Sequence, residues 1–283
     1  MEFVIATRHN WNAYQNNCSA YFLIQFFNPI MTKPLILITN DDGIDAKGIT
    51  VLTALMMQIG DVIVVAPDGG RSGQSNAITV TQPIRFTKIQ EREGLLRYSC
   101  TGTPTDCVKL ALNEILPKKP DILVSGINHG SNAAINVIYS GTMGAVFEGC
   151  ENGIPSVGFS ITDHSADADF SFMEPYMLDI VRKTLKNGLP YGVCLNVNAP
   201  SGEIKDVKIV RQTKGYWTKE FERRNDPRGG FYFWMTGYFK NEEPDAEDSD
   251  EWALNNGYLS IVPTKIDMTA HDELENMKRV YSL

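Results

Sequence analysis

The sequence lacks a long hydrophobic run and an excess of positive charge. Its 283 residues include 26 Lys and Arg against 34 Asp and Glu, which gives a net charge of −8. An acidic chain is not expected to bind a nucleic-acid duplex or an anionic membrane as its main partner. The apolar stretch AYFLIQFF at 20–27 is too short to span a bilayer, and the basic start and cleavage site of a secretory signal are missing around it.

The sequence also lacks a cysteine pattern. Its five cysteines are scattered, and no two of them form a CxxC pair. A disulfide-stabilised secreted domain and a cysteine-ligated zinc site both need regular spacing, so neither is predicted. Reduced, unpaired thiols are typical of a cytoplasmic protein, and the cytoplasm is the location that we expect.

Three regions are expected along the chain. Residues 1–30 show no clear periodicity, and we expect either a disordered extension or a segment that precedes the working start at Met31. Residues 31–200 carry the α/β patterns of the main core. Residues 201–283 are rich in aromatic residues and strand-like patterns, and we expect them to pack on another subunit and to serve in oligomerisation. The acidic stretch 240–252 within them is predicted to be a solvated loop.

Hydrophobic patterns predict the architecture of the core. PLILIT at 34–39 and DVIVVAPD at 61–68 have the composition of buried strands, and 46–60 between them has helical spacing. Strand, helix and strand in this order form a βαβ unit, which implies a parallel sheet. The alternation continues with strands predicted at 77–89, 95–102, 120–132, 154–161 and 191–200 and helices at 103–116, 140–153 and 173–187. We therefore predict a Rossmann-like, doubly wound, mostly parallel sheet with a β-rich C-terminal extension.

Polar residues gather where the predicted strands end. The first strand runs into Asn40, Asp41 and Asp42, the second into 68–76, and a later one into 125–132. Because the carboxyl ends of parallel strands share one edge of the sheet, these residues are expected to meet there. Their carboxylate, hydroxyl and amide oxygens suit Mg²⁺ or Mn²⁺, and a helix that starts nearby offers N–H groups to a phosphate.

Each of these features has a simpler interpretation when taken alone. Adjacent aspartates after a strand are often turn formers or helix caps. A lone histidine such as His129 is more often an ordinary surface or hydrogen-bonded residue than a catalytic group. The convergence of several strand ends on one edge of the sheet favours a functional site. The oxygen ligands and N–H donors gathered there predict metal-assisted attack on a phosphate ester.

Five stretches resemble, in this order, the signatures of the SurE family, the survival-protein E type 5′/3′-nucleotidases. They are ILITNDDGIDAKGI, VVAPDGGRSGQSN, GTPTDCVKLAL, VSGINHGSN and VIYSGTMGAVFEG. The resemblance implies a Rossmann-like catalytic core, one divalent cation (Mg²⁺ or Mn²⁺), and hydrolysis of nucleoside 5′- and 3′-monophosphates to nucleoside and phosphate. It also implies cytoplasmic homodimers or homotetramers that exchange C-terminal elements.

Carried over position by position, the resemblance implies the site residues. The metal ligands are Asp41, Asp42, Ser72 and Asn128, and the two aspartates are also the catalytic residues. The residues that line the phosphate and substrate pocket are Asn40, Gly43, Asn132, Ser140, Gly141 and Thr142. The sequence departs from the family pattern at Gly69–Gly70, where bulkier polar residues are usual, and at His129 and Ser131, where small residues or proline often stand.

Two other functions stay open on the sequence alone. A phosphatase that forms an aspartyl-phosphate typically carries two aspartates spaced Asp-x-Asp after a strand, whereas here they are adjacent. A non-catalytic nucleotide or metal sensor on the same core predicts saturable nucleotide binding without phosphate release.

Overall fold

A nine-stranded sheet organises residues 33–282, the part of the chain that the computed structural model describes. The strands of this sheet and of two small hairpin sheets are β1 (Leu35–Thr39), β2 (Asp61–Pro67), β3 (Phe86–Arg92), β4 (Leu95–Cys100), β5 (Ile122–His129), β6 (Ser156–Ile161), β7 (Val193–Ala199), β8 (Val207–Ile209), β9 (Gly215–Thr218), β10 (Phe221–Asn225), β11 (Phe231–Met235), β12 (Tyr238–Asn241) and β13 (Leu259–Lys265). The expected extension at 1–30 lies outside the described residues.

Six α-helices accompany the strands within residues 33–282. They are α1 (Lys47–Met56), α2 (Pro104–Leu110, continued by a π-helical turn at Ala111–Ile115), α3 (Gly141–Glu151), α4 (Glu174–Asn187), α5 (Asp250–Asn255) and α6 (Leu274–Val280). Short 3₁₀ turns lie at Ala134–Ile138, Ser171–Met173 and His271–Glu273. No helix within residues 33–282 is long and apolar enough to cross a bilayer.

The large sheet has the order β3-β4-β2-β1-β5-β6-β7-β13-β8. All neighbours from β4 to β7 are parallel, whereas β3 and β13 run antiparallel to β4 and β7. The prediction of a mostly parallel α/β sheet is therefore confirmed. The strands β8 and β13 come from beyond residue 200, so the sheet itself continues into the C-terminal segment.

The central strand β1 is apolar on both sides because helices cover both faces of the sheet. Ile36 and Ile38 lie in one core cluster with side chains of α1 and α4. Leu35 and Leu37 lie in a second cluster with side chains of α2 and α3. A strand buried on both faces reads as a continuous apolar run, which is the pattern of residues 35–38.

The alternating pattern predicts a strand over 77–89, but the strand begins only at Phe86, so the prediction is wrong for 77–85. Polar groups at the start of α2 hold the backbone of this segment instead. The Thr79 N–H donates to the Asp106 carboxylate at 3.0 Å, and the Thr103 hydroxyl donates to the Ala77 carbonyl at 2.7 Å. The alternating pattern of 77–85 therefore reflects docking on a helix end, which periodicity does not distinguish from a strand.

The order in which strands are added to the sheet reverses at β1. The strand β2 pairs with one edge of β1, and the later strand β5 pairs with its other edge, where Thr39 lies opposite Ser125. Ligands of open α/β sheets bind beyond the carboxyl ends of the strands at such a switch point. The residues that follow β1 and β5 are therefore placed where a ligand is expected.

Candidate active site

The turn after β1 is closed by the side chain of Asn40. Its amide donates to the Gly43 carbonyl at 2.9 Å, and its amide oxygen accepts from the Gly43 N–H at 3.2 Å. Gly43 has a φ of +103°, and a Cβ there would lie 3.0 Å from the backbone of Gly69. The turn thus requires glycine, and it holds the two intervening aspartates in fixed positions.

Asp41 is buried against the start of α3. The residue is only 3% exposed, and the Thr142 hydroxyl donates to its Oδ1 at 2.5 Å. A Cβ at Gly141 would lie 2.9 Å from its Oδ2, so only glycine leaves room for the carboxylate. Burial raises the pKa of Asp41, the charge of Asp42 adds to this rise, and the hydrogen bond from Thr142 opposes it.

The two carboxylates have no Lys or Arg partner in the part of the chain that the structure describes. Within residues 33–282, no Lys or Arg forms an ion pair with Asp41 or Asp42, and the one ionisable contact is His129 Nδ1 at 3.2 Å from Asp42 Oδ2. Adjacent carboxylates, one of them buried, are costly without a positive partner. This donor set therefore fits a hard divalent cation.

The loop after β2 is fixed above the aspartates by its backbone. The Arg71 N–H donates to the Asp41 carbonyl at 2.7 Å. Ser75 anchors the far end of the loop, with its hydroxyl 2.5 Å from the Ile138 carbonyl. Ser72 lies between these anchors and is exposed. The structure thus brings the Ser72 loop to Asp41, although the direct contact is made by the residue before Ser72.

The end of β5 and the loop that follows it supply two amide side chains, Asn128 and Asn132. The Asn128 amide nitrogen donates to the Gly130 carbonyl at 2.7 Å, so its oxygen is the atom left for a ligand. Asn132 is buried, and its amide nitrogen donates to the Ser160 hydroxyl at 2.7 Å. Asn198 on β7 accepts from the Asn132 N–H at 2.7 Å and fixes the backbone there.

The first turn of α3 faces the aspartates. Ser140 is its N-cap, and its hydroxyl accepts from the Met143 N–H at 3.0 Å. Gly141 and Thr142 are the first helical residues, so their N–H groups have no partner inside the helix. This end of an eleven-residue helix is an anion-binding end beside a candidate cation site.

Sequence reasoning missed the asparagine pair that supports Asn132. Asn196 and Asn198 are buried on β7, and Asn196 donates to the Asn132 carbonyl at 2.8 Å. Two asparagines two residues apart in the otherwise apolar run VCLNVNA were the available signal, because a buried strand rarely carries amides without a partner.

The residues 33–282 contain no group of three or more His, Cys, Asp and Glu side chains that could hold a metal ion. The predicted ligand set has only two carboxylates and completes its oxygen ligands with a hydroxyl and an amide. Such mixed oxygen sites suit Mg²⁺ and Mn²⁺, which retain water and phosphate oxygens as further ligands.

Comparison with known proteins gives one consistent family. Residues 36–219 match the model of the family described as survival protein SurE. A protein of Phocaeicola vulgatus called 5′-nucleotidase SurE is 53% identical over 247 residues, which are 87% of this chain and 96% of that protein. A protein of Bacteroides fragilis with the same name is 52% identical over 250 residues, 87% of this chain and 97% of that protein.

A solved structure supports the same comparison. The crystal structure of the SurE protein from Aquifex aeolicus superposes with a TM-score of 0.76 at 35% sequence identity. The match covers 87% of this chain and 99% of that one. The similarity thus includes the C-terminal segment as well as the core.

Proposed function

The chain belongs to the survival protein SurE family, and we infer from this membership that it is a 5′-nucleotidase. Nucleoside 5′-monophosphates are its substrates and nucleoside and phosphate its products, with 3′-monophosphates as a further substrate class. The observation that carries this proposal is the placement of Asp41 and Asp42 at the switch point of the sheet, against the first turn of α3.

The cofactor in this proposal is one divalent cation, Mg²⁺ or Mn²⁺, with Asp41, Asp42, Ser72 and Asn128 as ligands. The lack of a Lys or Arg partner for the carboxylates in the described chain supports it. When bound, such a cation offsets phosphoryl charge and lowers the pKa of a water ligand.

The chain's own residues position the substrate and the water. Thr142 fixes one oxygen of Asp41, so the aspartate pair keeps one orientation in which to direct the attacking water. The first turn of α3, formed by Ser140, Gly141 and Thr142, binds the phosphoryl oxygens, with the Gly141 N–H as a donor. Asn40, Gly43 and Asn132 complete the pocket.

The proposal extends to assembly and location. We expect a homodimer or homotetramer, supported by the exposed aromatic side chains of β10 and β11. A cytoplasmic location is supported by Cys100, Cys107, Cys150 and Cys194, which are all free thiols.

Phosphate release from a panel of 5′- and 3′-nucleoside monophosphates tests the proposal. Release is measured with Mg²⁺, with Mn²⁺ and with EDTA, for the wild type and for Asp41→Asn. We expect metal-dependent release that falls about 100-fold or more in the variant, because the site loses a charged ligand. Asp45→Asn is the matched control, since Asp45 is exposed on the same turn and has no hydrogen-bond partner in residues 33–282.

The outcomes separate the rival functions. Saturable nucleotide binding without phosphate release from folded protein would favour the sensor. A trapped phosphorylated aspartate would favour the aspartyl-phosphate mechanism. Full activity in Asp41→Asn would remove Asp41 from the catalytic residues.

A further inference from the structure

His129, the last residue of β5, connects the end of this strand to the aspartate pair. Its Nδ1 lies 3.2 Å from Asp42 Oδ2, and its side chain is 15% exposed. Its other ring nitrogen, Nε2, is buried and has no hydrogen-bond partner in the described chain. Nδ1 must carry the proton, because a lone pair at Nδ1 would face the lone pairs of a carboxylate. His129 is then a donor aimed at one oxygen of Asp42.

The segment 163–170 packs against the His129 ring and the backbone next to it. The Phe170 ring meets it edge-on, with centroids 5.3 Å apart. The Gly130 N–H donates to the Asp163 carbonyl at 3.1 Å, which fixes the backbone next to the ring. The Lys47 amine, at the start of α1, donates to the carbonyls of Asp167 and Ala168 at 3.0 and 2.8 Å. The donor is therefore pre-oriented rather than free to turn toward solvent.

Asp42 needs such a partner more than Asp41 does. Asp41 is enclosed by Thr142 and Gly141, whereas the side chain of Asp42 is 20% exposed and its one described side-chain partner is His129. A partly exposed carboxylate has several accessible rotamers, and binding a cation requires it to keep one. A hydrogen bond to Oδ2 selects a rotamer and leaves Oδ1 as the oxygen for the ligand.

We propose that His129 is a positioning residue that orients Asp42 for the divalent cation through an Nδ1–H···Oδ2 hydrogen bond. The proposal rests on the metal role of Asp42 stated above. Partners of this kind behind a metal ligand typically contribute about 10–100-fold to metal affinity. The effect should therefore be visible in cation binding without any substrate or turnover.

Calorimetric titration of the nucleotide-free protein with Mn²⁺ tests the proposal. His129→Leu fills similar volume without a donor, and we expect its Mn²⁺ affinity to fall about 10–100-fold. His129→Asn keeps an N–H donor near the position of Nδ1, and we expect it to recover most of the affinity. His164→Ala is the control, because the His164 ring lies beside Gly130 but forms no hydrogen bond or ion pair with Asp42 among residues 33–282. We expect wild-type Mn²⁺ affinity for it.

Several results would overturn the proposal. Wild-type affinity in His129→Leu would show that the hydrogen bond is not needed. Equal losses in the Leu and Asn variants would assign the effect to packing. Asp42→Ala separates the positioning role of His129 from the 5′-nucleotidase function. Wild-type Mn²⁺ affinity in that variant would show that Asp42 is not a metal ligand and would overturn the role of His129. The 5′-nucleotidase function is tested separately, by the phosphate-release assay.

A spectroscopic measurement covers the case in which the Leu variant does not fold. Nitrogen-15 labelling of the four histidines of the chain reports the tautomer of each ring by NMR. We expect the wild-type His129 ring to be the Nδ1–H tautomer and to change on Asp42→Ala. A His129 ring that is the Nε2–H tautomer in the wild type would contradict the proposal.

Discussion

Gly141 leaves room for the Asp41 side chain because it has no Cβ. A Cβ at this position would lie 2.7 Å from Asp41 Cβ and 2.9 Å from Asp41 Oδ2. Gly141→Ala must therefore displace either the carboxylate or the first turn of α3. We expect the free energy of unfolding to fall by about 1–3 kcal/mol, as for other overpacked sites, and Mn²⁺ affinity to fall with it. Urea denaturation and Mn²⁺ calorimetry measure the two effects.

Gly70→Ala is the matched control for this substitution. Gly70 also lies at the site, but the nearest atom to an added Cβ is the Asp42 carbonyl oxygen at 4.0 Å. We expect neither stability nor Mn²⁺ affinity to change. Unchanged Mn²⁺ binding in Gly141→Ala would mean that the crowded carboxylate is not a ligand.

The sequence predicts where the site residues lie along the chain better than it predicts the contacts among their side chains. The position of Asp41 and Asp42 follows from an apolar run that ends in polar residues, which is a local pattern. The pairing of Asp42 with His129 joins residues 87 positions apart, so no local pattern contains it. A lone histidine in the sequence does not indicate its partner, whereas in the fold the pairing of β1 with β5 brings His129 to Asp42.

At the scale of single elements, α2 begins with a capping box that also holds the segment before β3. The Thr103 hydroxyl accepts from the Asp106 N–H at 3.1 Å, and the Asp106 carboxylate accepts from the Thr103 N–H at 2.9 Å. Burial alone would raise the pKa of Asp106, but hydrogen bonds from Thr79 and Thr103 outweigh it and lower the pKa. The ionised form of Asp106 therefore stabilises the fold.

Asp106→Asn should lose stability in a pH-dependent way. A folded pKa below the unfolded value gives stability that is present above the unfolded pKa, about 3.9, and is lost as the pH falls through the folded pKa. We expect the variant to be less stable than the wild type by on the order of 1 kcal/mol near neutral pH. The difference should shrink below about pH 4, as measured by urea denaturation. A difference that is constant with pH would contradict the role of the charge.

The helix α5 corrects the prediction that 240–252 is a solvated loop. Asp250 is its first residue and is 1% exposed. Its Oδ1 accepts from the Thr213 N–H and hydroxyl at 2.9 and 2.6 Å, and its Oδ2 accepts from the Ala134 N–H at 2.8 Å. One carboxylate of the acidic stretch thus ties the C-terminal segment to the loop that carries Asn132. Composition did not distinguish it from its exposed neighbours, because only long-range contacts single it out.

Asp250→Asn should weaken this connection. An amide would turn its NH₂ group toward groups that are themselves donors, so we expect a loss of about 1–3 kcal/mol in the free energy of unfolding. We also expect a raised KM, because the loop of Asn132 loses its anchor at Ala134. Thermal melts and steady-state kinetics measure the two effects, with Asp245→Asn, an exposed position on the same stretch, as the control. A wild-type KM would separate Asp250 from the substrate loop.

At the scale of the whole molecule, the sequence predicts the α/β core more completely than the C-terminal segment. The core follows from apolar runs and helical periods that each lie within one element. The strand β13 pairs with β7 although some sixty residues separate the two strands in the sequence. No local sequence pattern predicts such a long-range pairing. The turn DPRGG does predict the β10–β11 hairpin, which forms a two-stranded sheet of its own.

The β10–β11 hairpin exposes apolar side chains on both faces. Phe231, Phe233 and Met235 are 52%, 53% and 77% exposed, and Trp234 on the other face is 62% exposed. An isolated two-stranded sheet is marginally stable, and an exposed apolar patch of this kind marks an interaction surface. We therefore expect the hairpin to be covered by another copy of the chain in the proposed oligomer.

Phe233→Glu tests the role of the hairpin in assembly. A charge at the centre of an apolar interface must be desolvated on association, so we expect the oligomer to dissociate toward monomers of 31.6 kDa. Size-exclusion chromatography with light scattering measures the mass. Tyr191→Glu is the control, since Tyr191 is 87% exposed but lies next to β7, away from the hairpin in sequence. A wild-type protein that is monomeric, or a Phe233→Glu variant that keeps the wild-type mass, would mean that another surface or none carries the assembly.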